Sequence, residues 1–102
     1  MFKNIDTQEF QKIQSEDNVV VLDVRTAQEV AEGHIEGSEN YDVLNGDFMQ
    51  KVDSFDKDKT YLVYCRSGAR SANACSVMNQ KGFDKVYNLD GGILGWQGDI
   101  QH

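Results

Sequence analysis

Apolar residues along this chain fall into short uninterrupted runs instead of long alternating ones. The clearest runs are Val19–Leu22 and Tyr61–Tyr64, and a third surrounds Val86. Runs without alternation are typical of strands buried on both faces, as in a parallel sheet. Phe2–Ile5 precedes them and predicts a small edge strand, and residues 39–41 predict another brief strand.

Helix signals lie between these runs. Asp6 with Glu9, and Thr26 with Glu29, have the spacing of capping boxes, and each predicts the start of a short helix. The segment that begins at Asn45 predicts a third helix. After Cys65 a longer helix is predicted from Ser71. Its inward-facing side carries Ala72, Cys75 and Met78, and Gly82 is placed to end it. A turn is predicted at residues 34–38 and a last short helix at residues 93–96.

This alternation predicts an α/β fold in which a small parallel β-sheet is flanked by helices on both faces. Ligands bind to such sheets beyond the carboxyl ends of the strands. Asp23, Cys65 and Asn88 come at the ends of predicted strands, so we expect them along one edge of the sheet.

The composition is ordinary for a globular chain of 102 residues, with 39% hydrophobic and 26% charged residues, and residues 1–102 are predicted to form one domain. A net charge of −7 argues against binding to nucleic acid or to an anionic membrane. The N-terminus does not resemble a signal peptide, and we expect a cytoplasmic chain with reduced cysteines. With two cysteines and two histidines and no Cys-x-x-Cys pair, neither a metal site nor a cofactor is predicted.

Cys65 stands where a predicted strand ends and a predicted helix begins. The free amides of a helix N-terminus and the helix dipole favour a thiolate at this position. Arg66 and Arg70 add two cations to an otherwise acidic protein, and Gly68 lets the backbone curl around an anion. We therefore expect backbone amides to converge on a thiol that water can reach. A thiol buried away from water, or amides turned outward, would overturn the enzymatic assignment, and an inert core cysteine is the alternative.

The segment Cys65-Arg66-Ser67-Gly68-Ala69-Arg70 resembles the active-site loop of the rhodanese (sulfurtransferase) family. The resemblance covers nearly the whole chain, because Leu22–Arg25 with Glu29, Gly33–Asn40, and Leu89–Trp96 resemble further signatures in the same order. The family often has proline where Glu36 stands and alanine where Ser38 stands, which bears only on the rigidity of that turn.

The resemblance implies a sulfurtransferase in which Cys65 attacks the outer sulfur of an anionic donor such as thiosulfate and becomes a persulfide. It implies that the substrate is bound by Arg66, Ser67, Gly68, Ala69 and Arg70. The acceptor is then cyanide, a thiol or a partner protein, no cofactor is needed, and the protein is expected to be a monomer or a weak dimer.

Three alternatives stay open. A Cys-based phosphatase or arsenate reductase needs an anion loop, but phosphatases place arginine six positions after the cysteine, where this chain has Ser71. A persulfide carrier would serve one protein partner. A non-catalytic module of the same fold typically lacks the cysteine.

Other conspicuous residues are predicted to serve structure. Asp23 and Arg25 are interpreted as an ion pair that fixes the loop after a strand, with Glu29 as an additional partner. His34 is assigned to a turn, and Cys75 to the core instead of to a resolving thiol. Packing of the last helix accounts for Trp96 and for the glycines at 91 and 92.

Overall fold

A five-stranded parallel sheet forms the centre of the protein, which is described here by a computed structural model covering residues 1–102. The strands are β1 (Lys3–Ile5), β2 (Val19–Asp23), β3 (His34–Ile35), β4 (Glu39–Asn40), β5 (Thr60–Tyr64), β6 (Val86–Leu89) and β7 (Ile100–Gln101). In the main sheet the order is β1-β6-β5-β2-β4, and every neighbouring pair is parallel. The predicted α/β sheet is therefore confirmed.

Helices cover both faces of this sheet. They are α1 (Thr7–Gln14), α2 (Ala27–Ala31), α3 (Asp47–Lys51) and α4 (Ala69–Gln80), with 3₁₀ helices at Val52–Ser54 and Ile93–Gly95. None of the helices combines the length and the apolar character that crossing a bilayer requires.

The core consists of two apolar clusters, one on each face of the sheet. Along β5, Val63 belongs with Cys65 to the cluster under α3 and α4, whereas Leu62 and Tyr64 belong to the cluster under α1. Successive side chains of a strand point to opposite faces, which divides the residues in this way. Cys65 consequently shares its face of the sheet with α4.

The caps predicted from sequence differ in how completely they form. Thr26 and Glu29 make both hydrogen bonds of a capping box at the start of α2. Asp6 accepts a hydrogen bond from the Glu9 amide, but the reciprocal bond is not made. Local spacing therefore located both helix starts, although it overestimated one of the caps.

Two predictions about local structure were only partly right. The turn predicted at residues 34–38 forms in its second half, where the Ser38 amide donates to the Ile35 carbonyl at 3.1 Å, but His34–Ile35 form β3, which pairs antiparallel with β7 near the C-terminus. Two-residue strands have no hydrophobic period, so sequence gives no signal for them. In α4, which starts at Ala69, the buried side of the helix carries Ser71 and Ala74 with Cys75 and Met78, while Ala72 is only half-buried.

Candidate active site

The predicted edge of the sheet brings its polar residues together. Asp23 lies opposite Tyr64 in the pairing of β2 with β5, and Asn88 lies opposite Val63 in the pairing of β5 with β6. Cys65 follows β5 directly, so it lies between Asp23 and Asn88 at the carboxyl ends of the strands. The Asn88 amide group also donates to the carbonyl oxygen of Gly68, at 3.2 Å, which connects β6 to the loop after Cys65.

Three donors converge on the sulfur of Cys65. The Gly68 amide lies 3.1 Å from Sγ, the Ser71 amide 3.4 Å, and the Ser71 hydroxyl 3.3 Å. Gly68 precedes α4 with φ +109°, a conformation that a residue with a Cβ rarely adopts. The sulfur thus accepts hydrogen bonds that would otherwise be left unmade at the first turn of α4.

Two opposing effects determine the acidity of Cys65. Burial raises the pKa of the Cys65 thiol, since a charge is poorly solvated in the interior. Hydrogen bonds from the Ser71 hydroxyl and from the amides of Ser71, Gly68 and Ser67 outweigh burial, so the pKa lies below its usual value. The site favours a thiolate, as expected for a nucleophile.

A second loop holds the backbone of Cys65 and Arg66 in place. The amides of Ile93 and Leu94 donate to the carbonyl oxygens of Cys65 and Arg66, at 2.9 and 3.1 Å. In a trans peptide the N–H points away from the C=O, so fixing these two carbonyls turns the next two amides toward the inside of the loop. This orientation places the Ser67 amide on the side of the sulfur.

Gly92 makes that contact between the two loops feasible. A Cβ at Gly92 would overlap the carbonyl group of Arg66, and the backbone there has φ +61° and ψ −160°. Only glycine adopts this combination readily. Gly92 was predicted only to let the last helix pack, but it also allows the close approach of the two loops at Arg66.

The expectation that water reaches the thiol was wrong, so one of the two conditions set for an enzymatic role is not met in this structure. Cys65 is 1% exposed, although the amides around it converge as predicted. The sulfur lies beneath the loop that supplies its hydrogen bonds, and α4 and the residues after β6 close the remaining sides. Arg66 and Ser67, the two residues that follow, are exposed.

The two arginines of the loop have different surroundings. Arg70 forms a two-pronged ion pair with Glu29, with distances of 2.8 and 2.9 Å from its guanidinium nitrogens to the carboxylate oxygens. The same contact lowers the pKa of Glu29 to about 2, since the guanidinium stabilises the carboxylate. Arg66 is exposed and forms no salt bridge. Arg66 is thus the loop cation that is available to an anion from solution.

A cleft of about 300 Å³ adjoins the loop. Its walls combine charged and apolar side chains: Arg25, Glu29, Glu32, Gly33, Arg66, Ile93, Leu94 and Ile100. The cleft therefore borders the exposed guanidinium of Arg66 and the segment that holds the Cys65 carbonyl. It has room for a small anion and part of an acceptor molecule.

Comparison with known proteins shows the family of this chain. A family model described as "Rhodanese-like domain" matches residues 6–99. The chain belongs to the rhodanese-like domain family. It is 39% identical to a putative sulfurtransferase, YtwF, of Bacillus subtilis, across 89% of this chain and 85% of that protein. It is 36% identical to thiosulfate sulfurtransferase GlpE of Ectopseudomonas mendocina, across 94% of this chain and 85% of that protein.

A solved structure of a rhodanese-related protein from Thermoplasma volcanium has the same fold. It superposes with a TM-score of 0.85 and 27% identity, covering 98% of both chains. The sheet and the flanking helices of this rhodanese-like domain are therefore those of its family.

The ion pair predicted beside the site is present in this rhodanese-like domain. Arg25 lies 2.7 Å from Asp23, which is fully buried, and also donates to the Gly33 carbonyl at 2.7 Å. The prediction that Glu29 is a further partner of this ion pair was wrong, because the Glu29 carboxylate binds Arg70 instead of Arg25. Only the backbone carbonyl of Glu29 lies near Arg25, at 3.4 Å. The reason is that α2 directs the Glu29 side chain toward the start of α4.

The remaining conspicuous residues serve structure. His34 belongs to β3, and its Nδ1 lies 3.4 Å from the Val30 carbonyl. Cys75 is fully buried as a free thiol, as is Cys65. Trp96 packs edge-on against Phe10, with ring centroids 5.2 Å apart, which agrees with the packing role predicted for it.

Sequence reasoning missed the parts that Ser71, Asn88 and Gly92 have in this site. Ser71 was predicted as the start of a helix, but not as a contact of Sγ. A signal for Ser71 exists in the chain, because a residue in the first turn of a helix after a nucleophile has its amide free. The position of Asn88 at a strand end predicted its edge of the sheet but not its bond to Gly68, and no local signal predicted the contact of Gly92 with Arg66.

Proposed function

We propose that this protein is a sulfurtransferase that carries a sulfane sulfur on Cys65. The supporting observation is the convergence of the Ser71 hydroxyl and of the Gly68 and Ser71 amides on the Cys65 sulfur. Such an arrangement stabilises a thiolate in a small space, and the relatives named as sulfurtransferases have sequences of the same family.

In the first step, the Cys65 thiolate attacks the outer sulfur of thiosulfate or of a related anionic donor. A new S–S bond forms, the S–S bond of the donor breaks, and its electron pair leaves with sulfite. No external oxidant or reductant is consumed. Sulfite is already a good leaving group, so this step needs no general acid.

In the second step, cyanide or a thiolate attacks the outer sulfur of the Cys65 persulfide. The acceptor gains that sulfur, and the electron pair of the broken S–S bond returns to Cys65 as a thiolate. Because the two steps are separate, we expect ping-pong kinetics.

We assign donor binding to the loop that follows Cys65. Arg66 attracts the anionic donor because it is exposed, lacks a carboxylate partner and borders the cleft. The backbone of residues 66–70 surrounds the transferred sulfur, and Arg70 holds the loop against α2 through Glu29. Since Cys65 is 1% exposed, we further propose that the loop shifts at the exposed Ser67 when the donor enters, while the bonds from Ile93 and Leu94 keep the backbone of Cys65 and Arg66 in place.

Phosphatase chemistry is less well supported. The loop arginine that would bind a tetrahedral anion is Arg70, and its guanidinium is occupied by the Glu29 carboxylate. Binding of a phosphate there would have to displace a two-pronged ion pair.

Intact mass spectrometry after incubation with thiosulfate tests the proposal directly. The native protein should gain one sulfur atom, the Cys65→Ser variant should gain none, and cyanide should then release thiocyanate. The absence of a sulfur adduct on the native protein, together with hydrolysis of a phosphate ester, would reject the proposal.

A further inference from the structure

The hydroxyl of Ser71 lies between two acceptors. Ser71 is fully buried in the first turn of α4, and its Oγ is 3.3 Å from Cys65 Sγ and 3.2 Å from the carbonyl oxygen of Gly68. A hydroxyl has one proton to donate, so it serves only one of these acceptors at a time. Which acceptor receives the proton depends on the charge of the sulfur.

We propose that Ser71 is a catalytic residue whose hydroxyl donates to the Cys65 thiolate and turns to the Gly68 carbonyl when Cys65 carries a sulfur. This inference rests on the sulfurtransferase function proposed above. A thiolate is a charged acceptor and outcompetes a neutral carbonyl. In the persulfide, Sγ is a neutral bridging sulfur and accepts weakly, so the carbonyl of Gly68 receives the proton instead.

The consequence is that Ser71 stabilises Cys65 chiefly as a leaving group. When an acceptor thiolate attacks the outer sulfur, the bond between that sulfur and Sγ breaks, and Sγ receives the electron pair. The hydroxyl turns back to Sγ as this negative charge develops. Interactions that strengthen as charge develops accelerate the step in which it develops.

The first half-reaction depends less on Ser71. Without the hydroxyl the thiol is less ionised, but the remaining thiolate is more nucleophilic, and the two effects partly cancel. No such cancellation applies to sulfur release, where a more basic thiolate is simply a poorer leaving group. Loss of the hydroxyl should therefore slow release more than formation of the persulfide.

Removing this hydroxyl should leave the loop folded. The carbonyl oxygen of Gly68 also accepts from the Ala72 amide at 3.0 Å and from the Asn88 side chain at 3.2 Å. The Cys65 sulfur keeps its bonds to the amides of Gly68 and Ser71. Ser71→Ala therefore orphans no buried donor or acceptor.

The first test measures the ionisation of Cys65 by the ultraviolet absorbance of its thiolate against pH. Ser71→Ala should raise the pKa of the thiol by about one unit or more, because a hydrogen bond to a charged group is lost. Ser71→Thr should restore it, and Ser76→Ala, on the same helix, should leave it unchanged. Arg66 and Arg70 are the loop cations next to Cys65, and the other charged or titratable groups around it are Cys75 and the Asp23–Arg25 ion pair. All of these are the same in every variant.

The second test follows each half-reaction separately by rapid mixing. In Ser71→Ala, release of sulfur to a thiol acceptor should slow by about three- to tenfold, because the leaving thiolate is more basic. Formation of the persulfide from thiosulfate should change by less than that. An unchanged thiol pKa, or equal slowing of both half-reactions, would overturn the role of Ser71. Absence of a persulfide in the native protein would instead reject the sulfurtransferase function.

Discussion

Cys65 and Cys75 are two buried thiols on the same side of the sheet with opposite chemistry. Both are at most 1% exposed. Cys65 lies just before the first turn of α4, and Cys75 lies near the middle of that helix. Burial raises the pKa of both. For Cys65 the hydrogen bonds reverse the effect, whereas burial and the nearby Cys65 leave the pKa of Cys75 above its usual value.

The difference between the two lies in which amides of the helix are free. At the start of a helix the first N–H groups have no carbonyl partner within the helix, so they bind an anion. In the middle of α4 the amides are paired along the helix, and Cys75 belongs to the apolar cluster between this helix and the sheet. Two thiols of similar burial therefore differ in acidity because of the hydrogen-bond donors around them.

The largest expected effect is in the labelling of the two thiols. In the native protein, iodoacetamide should modify Cys65 at least about 100-fold faster than Cys75, because Cys65 is the more acidic thiol and directly precedes the exposed residues Arg66 and Ser67. The rate at Cys65 should rise with pH and level off at a lower pH than for an ordinary thiol. Peptide mapping by mass spectrometry measures both rates, with the Cys65→Ser and Cys75→Ala variants as matched controls. Comparable rates at the two sites would remove the basis of the comparison.

The next largest effect concerns the loop that orients the amides around Cys65. Gly92→Ala should destabilise the fold by about 2 kcal/mol, since it combines a strained backbone with an overlap at the Arg66 carbonyl. It should also raise the pKa of Cys65, because the amides lose their orientation. Urea unfolding and thiolate absorbance measure the two effects.

Gly95→Ala is the matched control for this change. A Cβ at Gly95 meets nothing within 4 Å, so its effect on stability should stay within about 0.5 kcal/mol. If Gly92→Ala changed neither the stability nor the pKa of Cys65, the second loop would not be needed to hold the site.

A smaller effect is expected from removing Arg66, the exposed cation next to Cys65. Arg66→Ala should raise the KM for thiosulfate by about tenfold, the loss expected for one charge-assisted contact, with little change in kcat. The difference should shrink as salt is added, because Arg66 is exposed. Lys85→Ala removes an exposed charge before β6, at the opposite edge of the sheet, and should not change the KM. Unchanged kinetics in Arg66→Ala would exclude Arg66 from donor binding.

The smallest effect concerns the ion pair that holds the start of α4. Glu29→Gln should cost about 1 kcal/mol of stability at neutral pH, a modest value because the Glu29 and Arg70 side chains are 23% and 25% exposed. The folded-state pKa of Glu29 is lowered from 4.5 to about 2, so its contribution is present above pH 4.5 and disappears as the pH falls toward 2. Unfolding curves of the native protein and the variant should therefore converge in that range.

Glu32→Gln serves as the control for Glu29→Gln. Glu32 lies in the same cleft and forms no salt bridge, so its replacement should leave stability unchanged across this pH range. A gap between the native and Glu29→Gln curves that persisted at pH 2 would mean that the ion pair is not its cause.

The sequence by itself determined the parallel sheet, the position of Cys65 between a strand and a helix, and the capping box at Thr26 and Glu29. Each of these depends on residues that are neighbours in the chain, where hydrophobic period and cap spacing report the structure. The resemblance of the loop to the rhodanese family came from contiguous residues for the same reason.

Only the tertiary structure decided which arginine is free, how the amides are turned and how far the sulfur is from water. Glu29 and Arg70 are 41 positions apart in the chain. Gly92 meets Arg66 only because β6 lies beside β5 in the sheet. Such contacts depend on how separate elements pack, and no periodicity within a segment encodes its distant partner. The sequence therefore indicated a candidate thiolate at Cys65, whereas the contacts that orient its hydrogen-bond donors and bury its sulfur depend on the fold.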